Sequence, residues 1–387
     1  MKAMEFLVQA LLTSAILCSS GCSTLQPAPI STPLAIDQAT LLFETAMAGN
    51  DVPGLSVSVA DRGGILWSAA FGWADIDGKF PMTTDTRLRV ASISKILTAA
   101  GLAKLIEDDQ IDLDAPIRSY VPVFPIKKWP ITVRQLSAHI AGVRHYKGDE
   151  FFMHKHFATV SEGLQIFEND PLEFQPGTAY SYSSYGWNLI SAAIEGVREE
   201  DFLLFMQAEV FGPLSLNSIE PEDVRYPITN MATPYQLVDG QITRAPFVDN
   251  SYKWAGGGFI ATSDDLAQFA IAHASPGYLK SETLELLFAN QILADGTEVA
   301  NGIGWQSGWH NYEQQYCGDE AEHQSYRLCA TIERTPNAVM HAGGAVGGEA
   351  MLILDRDSGL AVVVMKNDYG SSANTFRLAL ETLGIFQ

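Results

Sequence analysis

The 387-residue chain is 18% charged and 47% apolar, with 24 Lys and Arg against 45 Asp and Glu and a formal net charge of -21. An apolar content this high, with 7 Trp, 13 Tyr and 19 Phe, excludes a disordered polymer. So acidic a surface repels phosphate and no basic run offsets it, which excludes nucleic acid as a partner.

In chain order, Lys2 precedes an apolar run from Phe6 to Cys18, too short to cross a bilayer and suited to the core of a signal peptide, and Ser19-Ser20-Gly21-Cys22 follows. Residues 1–21 are read as a cleaved export signal. Gly21 before Cys22 resembles a bacterial lipobox, whose cysteine thiol is lipidated, although Ser19 stands where Leu is usual and Glu5 is uncommon in such a leader. The chain is therefore expected in the periplasm, anchored to the outer membrane, with lipidated Cys22 as its only membrane contact. Ser23 to Pro33 is rich in Pro, Ser and Thr without periodicity, the composition of a tether. The tether is expected over 22–34 and the folded domain over 35–387.

Leu55 to Val59 alternates apolar and polar residues, Asp61-Arg62-Gly63-Gly64 supplies a turn, and Ile65-Leu66-Trp67 opens a second run, which predicts a β-hairpin. Apolar residues at i, i+3 and i+4 predict helices over Ile96 to Ile106, Trp187 to Val197 and Leu266 to Ile271. Met351 to Leu354 and Leu360 to Met365 flank Asp355 to Gly359 and predict a second hairpin. Strands thus gather at both ends of the chain. The expected fold is α/β of the α+β kind: an antiparallel sheet built from N- and C-terminal segments and flanked by helices, with a mostly helical subdomain inserted at about 110–250.

Three segments carry groups suited to chemistry. In Ser92-Ile93-Ser94-Lys95, at the start of a predicted helix, the lysine lies one turn from the serine on the same face. A desolvated amine can take the proton that keeps serine a weak nucleophile, and the helix N-terminus favours developing negative charge. Phe174 to Ser184 runs through a Pro-Gly turn into a helix, placing Tyr182 and Ser184 on a loop at a helix start. Met340 to Gly348 is glycine-dense after a strand, with His341 as a polar group and Gly344 N–H as a donor close to any ligand. Alone, S-x-x-K is a weak signal that a capping serine and a solvated lysine would also produce.

Together and in this order, the three segments resemble the serine β-lactamase-like superfamily of class C β-lactamases, low-molecular-weight penicillin-binding proteins, D-aminopeptidases and related esterases. Its motifs S-x-x-K, Y-x-N and K/H-x-G match Ser92 with Lys95, Tyr182 with Ser184, and His341 with Gly343. The stretch around His139 (ITVRQLSAHIAGVRHY), Val248 to Phe269 and HAGGAVGG are most similar to the mitochondrial β-lactamase-like serine proteases and their bacterial relatives. The resemblance implies a β-lactamase/transpeptidase-like fold and an acyl-enzyme on Ser92, with Lys95 and Tyr182 sharing the proton. It also implies an oxyanion hole from the N–H groups of Ser92 and Gly344. The substrate is expected to be a peptide or small acyl compound whose amide bond is cleaved. Alternatives are an esterase, a weak β-lactamase or D,D-peptidase on the same nucleophile, or a non-catalytic envelope binding or assembly protein.

Two departures bear on substrate. Ser184 stands where penicillin-recognising members have Asn, and a hydroxyl reaches less far than an amide. His341 replaces a permanently charged Lys; titrating near 6.5 it would be mostly neutral at pH 7, which weakens anchoring of a β-lactam carboxylate. Strong β-lactamase activity is therefore not expected.

Other residues are read as structural. His139 beside Ala138 and Ile140 fits a satisfied core histidine, Gly256 to Gly258 a close-packed turn, and Ser263 to Asp265 a helix cap, while Tyr252 and Trp254 suit either cleft or core. Cys317 and Cys329, flanking a polar stretch, are either a disulfide or two separate thiols. No C-x-x-C or H-E-x-x-H spacing occurs, and His154 and His156 lack further ligands, so neither metal nor other cofactor is expected.

Overall fold

The computed structural model describes residues 32–49, 51–309, 312–318 and 326–387. The signal segment, Cys22 and most of the expected tether lie outside the described residues. Helix α1 (Thr32–Met47) begins ahead of the domain boundary expected at residue 35. Pro33 suits the first turn of a helix, where its missing N–H costs nothing, so the tether reading of Thr32 to Leu34 gives way.

Both predicted hairpins form and join one sheet. β1 (Gly54–Asp61) and β2 (Gly64–Asp75) pair antiparallel, and β3 (Phe80–Pro81) extends them. From the other end of the chain come β4 (Gln306–Ser307), β5 (Ala338–Ala345), β6 (Gly348–Asp355) and β7 (Leu360–Lys366). The strand order is β4-β5-β6-β7-β1-β2-β3, and β1 pairs antiparallel with β7 from Leu55 opposite Lys366 to Ala60 opposite Ala361. The Arg62 guanidinium donates to the carbonyls of Arg356, Asp357 and Ser358, so the two hairpin turns are tied to each other.

Each face of the sheet has its own core. On one side Leu55, Val57, Val59, Met351, Ile353 and Val362 pack with Phe43 of α1 and with Leu380 and Leu383 of a C-terminal helix (Thr375–Phe386). On the other, Leu352, Leu354 and Val363 pack with α2 (Ser94–Glu107), α3 (Ser184–Arg198) and α4 (Ser263–Ala272). Ser56 and Ser58 face α4, fully buried, and bond the Ser263 hydroxyl at 2.7 Å each. Ser263 is thus committed to β1, and the cap of α4 is Thr262, whose side chain accepts from Asp265 N.

All three predicted helices are present. The segment between α2 and residue 250 is helical at α3 and in short turns, but it also carries a hairpin at Tyr235–Val238 and Gln241–Arg244 that periodicity did not reveal. Cys317 and Cys329 are joined as a disulfide with Cα atoms 5.0 Å apart. No described helix is long and apolar enough to cross a membrane.

Candidate active site

Ser92 sits in a single 3-10 turn, Ala91–Ile93, that runs into α2. Ala91 adopts a left-handed φ of 49°, uncommon for a residue with a Cβ, and the sharp turn leaves Ser92 half-buried while its neighbours are buried. The strand Phe259–Ala261 braces this turn: Val90 N donates to Phe259 O at 3.2 Å, and Phe259 N donates to the Ser94 hydroxyl at 3.2 Å. α2 is buried on nearly every side, which makes it a rigid mount.

One turn on, Lys95 is fully buried. Its Nζ lies 3.1 Å from Ser92 Oγ, 3.0 Å from Ser184 Oγ and 2.5 Å from Gly256 O, and 4.8 Å from the centre of the Tyr182 ring. All these partners are neutral. Burial, followed by the charge of Lys253, holds the Lys95 pKa well below the ordinary lysine range. A neutral amine has two N–H donors and one lone pair, so donation to Gly256 O and Ser184 Oγ leaves the lone pair free to accept from the Ser92 hydroxyl.

Tyr182 reaches the same place on a loop sewn to the segment around His139. Ser181 N donates to His139 O at 2.9 Å, Gly177 N to Ile140 O at 2.8 Å and Glu173 N to Gly142 O at 2.8 Å. The Tyr182 ring is held by two imidazoles, His139 at 4.4 Å and His145 edge-on at 5.3 Å. Their Nδ1 atoms accept from Ser183 N and Ser184 N, both at 3.1 Å. Burial first and Lys95 second push both histidines down, His145 to about 4, so both rings are neutral at pH 7. Burial raises the Tyr182 phenol above its usual range against a hydrogen bond to Ser92, and the group keeps its proton.

The third segment closes the site from the sheet. β4 covers β5 only at Val339 and Met340, so the edge beyond Met340 has no strand partner among the described residues. Gly343 packs against the Ser92 turn so closely that a Cβ would collide with Val90 O, whereas one on Gly344 would meet open space. At Gly256 a Cβ would come within 2.9 Å of Ser184 O, and this close approach lets its carbonyl reach Lys95.

His341 requires a correction. It is 2% exposed, its Nδ1–H donates to Ala342 O at 2.6 Å, and burial followed by Lys95 pushes it down to about 3. It does not titrate near 6.5, and no charged form is present to anchor a carboxylate at neutral pH.

Ser92, Lys95, Tyr182 and Ser184 are thus brought together, with His341, Gly343 and Gly344 on the adjoining strand. Sequence reading missed His145, Tyr146 and Lys253, and took Gly256 only for a packed turn. The His139 segment had been singled out, but nothing in its spacing marks His145 as a support for Tyr182. Tyr252 and Trp254 are both core residues. Among the described residues, no three His, Cys, Asp or Glu side chains gather to hold a metal ion.

A serine, a buried amine and a protonated phenol converging at a helix N-terminus beside a glycine-rich strand edge define a serine hydrolase of the β-lactamase/transpeptidase fold. The chain belongs to the Beta-lactamase family, whose model matches residues 40–383. It is 28% identical to the human mitochondrial serine beta-lactamase-like protein LACTB, over 78% of this chain and 68% of that protein. It is 25% identical to esterase EstB of Burkholderia gladioli, over 87% of this chain and 93% of the esterase. Penicillin-binding protein 4* of Bacillus subtilis is 26% identical, over 68% of this chain and 61% of its own length. Among solved structures, the octameric penicillin-binding protein homologue from Pyrococcus abyssi superposes with a TM-score of 0.72 at 20% identity, covering 90% of this chain and 77% of that one. D-amino acid amidase from Ochrobactrum anthropi, solved with L-phenylalanine amide, gives 0.72 at 20% identity, covering 91% and 98%.

Proposed function

We propose that this serine hydrolase is an exported peptidase that cleaves an amide bond through an acyl-enzyme on Ser92. The observation that carries the reading is the burial of Lys95 among neutral acceptors, 3.1 Å from Ser92 Oγ. Burying an amine this way costs stability and contributes nothing to a binding module, whereas a general base needs it. The Ser92 hydroxyl passes its proton to Lys95 as Oγ bonds to the carbonyl carbon, and the N–H groups of Ser92 and Gly344 receive the oxyanion. On collapse the Tyr182 phenol protonates the leaving nitrogen as the C–N bond breaks, and the Lys95 ammonium returns a proton to the tyrosinate. Water then attacks the ester and releases the acid. Oxyanion donors of this kind contribute about 2.7–4 kcal/mol each.

Support for export comes from the signal-like N-terminus, the Gly21-Cys22 junction and the Cys317–Cys329 disulfide, which suits an oxidising compartment. An esterase is the second reading, favoured by the likeness to EstB. The absence of a charged His341 argues against efficient use of penicillins. The test is incubation of the protein lacking residues 1–22 with a fluorophosphonate and, separately, a labelled penicillin, with adducts mapped by mass spectrometry. Labelling of Ser92 by the fluorophosphonate alone is expected, and no adduct from either reagent would sink the hydrolase reading. Radioactive palmitate in cells should label the Cys22 protein, and an unlabelled protein removes the anchor.

A further inference from the structure

A second buried amine lies beside the site without a task in the chemistry above. Lys253 is 3% exposed and immediately precedes the short helix Trp254–Gly257, whose Gly256 carbonyl holds Lys95. Its stem runs past Gly257, where a Cβ would lie 3.7 Å from Lys253 Cδ and 3.8 Å from the Ala91 carbonyl carbon, so it passes along the turn that presents Ser92.

The surroundings of the Lys253 ammonium are unlike those of Lys95. It lies 5.5 Å from the ring centre of Tyr146, 4.6 Å from that of Phe151 and 5.2 Å from that of Tyr252. Among the described residues no carboxylate forms an ion pair with it. Glu222, the acid whose charge acts on it, is engaged with Arg89, whose Nε donates to it at 3.0 and 2.8 Å, and with Asn250 Nδ2 at 2.6 Å. Aromatic faces favour a cation without cancelling its field as a carboxylate would. The cage therefore holds a cation without a carboxylate partner, and its charge acts on Lys95, which meets a single aromatic ring, that of Tyr182.

We propose that Lys253 is a positioning residue for the reaction: its uncancelled charge holds Lys95 in the amine form that can accept the Ser92 proton. The proposal rests on the reading of Lys95 as the base. The groups facing Lys253 are Lys95 from α2, Arg89 from the strand Leu88–Arg89, Glu222 beyond the strand Glu220–Pro221, His145 and Tyr146 from the loop preceding α3, and the adjoining Tyr252. Arg89 and Glu222 form an ion pair whose two charges oppose each other at Lys253, and Glu150 is engaged with Arg144 at 2.7 Å. His145 is neutral at pH 7. Burial, then Arg89, bring Lys253 itself down to about 7 against Glu222, so it is charged in the acidic range where Lys95 would otherwise gain a proton.

The test is the pH dependence of the rate at which a fluorophosphonate labels Ser92, in the wild-type protein, Lys253→Met and Lys253→Arg. The rate rises with pH as Lys95 loses its proton. With Lys253→Met the midpoint of that rise should move up by on the order of one pH unit, slowing labelling at pH 6 roughly tenfold. Lys253→Arg, which keeps a cation, should hold the midpoint at or below that of the wild type. Phe151→Leu opens the half-buried side of the cage and should shift the midpoint in the direction of Lys253→Met, which keeps the question answerable if that variant does not fold. A wild-type midpoint unmoved in both Lys253→Met and Phe151→Leu, or one moved equally by Lys253→Arg, overturns the proposal for Lys253 alone. A wild-type protein that does not label at any pH overturns the base reading and this proposal with it.

Discussion

Gly256 O accepts from Lys95 Nζ at 2.5 Å, and that bond joins a glycine turn 161 residues further along the chain to the amine beside Ser92. It occupies one of the two N–H groups of a neutral lysine and so orients the remaining lone pair. The expected behaviour of several variants follows from that orientation.

Lys95→Met keeps the bulk of the side chain and removes the base. Hydrolysis of amide substrates should fall by about 10²–10⁴, with the fold retained by circular dichroism. A variant within threefold of wild type would place the base elsewhere.

Tyr182→Phe preserves the ring between His139 and His145 and deletes only the phenol. Because an amine leaves poorly without a proton and a nitrophenolate does not need one, kcat on amides should drop about a hundredfold and on p-nitrophenyl esters by less than about tenfold. Equal losses on both would remove the proton-donor role.

Gly343→Ala and Gly344→Ala form a matched pair. The first sets a methyl against Val90 O and displaces the Ser92 turn, so stability should fall by about 1–3 kcal/mol together with activity. The second projects into open space, and its urea midpoint should stay near that of the wild type. Equal stabilities for the two variants would mean that β5 does not press on the turn.

Acid should destabilise the fold through its buried histidines. His145 and His273 are pushed down to about 4 and His341 to about 3, each chiefly by burial, from 6.5 in the unfolded chain. Between those values the unfolded state binds more protons, so stability is full above pH 6.5 and declines as pH falls toward 4. Each fully buried ring contributes up to about 1.4 kcal/mol per pH unit. The urea midpoint should drop between pH 7 and pH 5, and a flat midpoint would contradict the neutral histidines. For the same reason, kcat/KM on carboxylate-bearing substrates should show no inflection from His341 between pH 5.5 and 8.

Cys317 and Cys329 close a short loop, and replacing both with Ser should cost about 3 kcal/mol, chiefly by releasing the unfolded chain. Measured under reducing conditions, the wild type and the double variant should unfold at the same urea concentration.

The parts of this architecture that could be read from the sequence are those encoded locally. Both hairpins announce themselves by alternation around glycine turns, and Ser92 with Lys95 by a single helical turn. What escaped is what depends on loops meeting across the fold. His145 acquires its role only because Ser184 N arrives 3.1 Å from its Nδ1, and Lys253 only because Tyr146 and Phe151 come from a segment about a hundred residues away to cage it. The alternation at Leu55 to Val59 likewise suggests a one-sided strand, yet Ser56 and Ser58 are buried under α4 because Ser263 supplies the bonds that make the second face habitable. His341 misled in the opposite direction. Its ordinary titration was assumed, and only its burial reveals a ring that stays uncharged.

The pairing of β1 with β7 sets the order in which the molecule can become active. The Ser92 turn lies shortly after β2, but β5, which presses on it, is held through β6 and β7 to β1, far earlier in the sequence. Contacts so distant in sequence form late and slowly. Until β7 has paired with β1, the chain therefore carries its nucleophile in an unassembled state, and hydrolytic activity arrives only when these two distant strands have met.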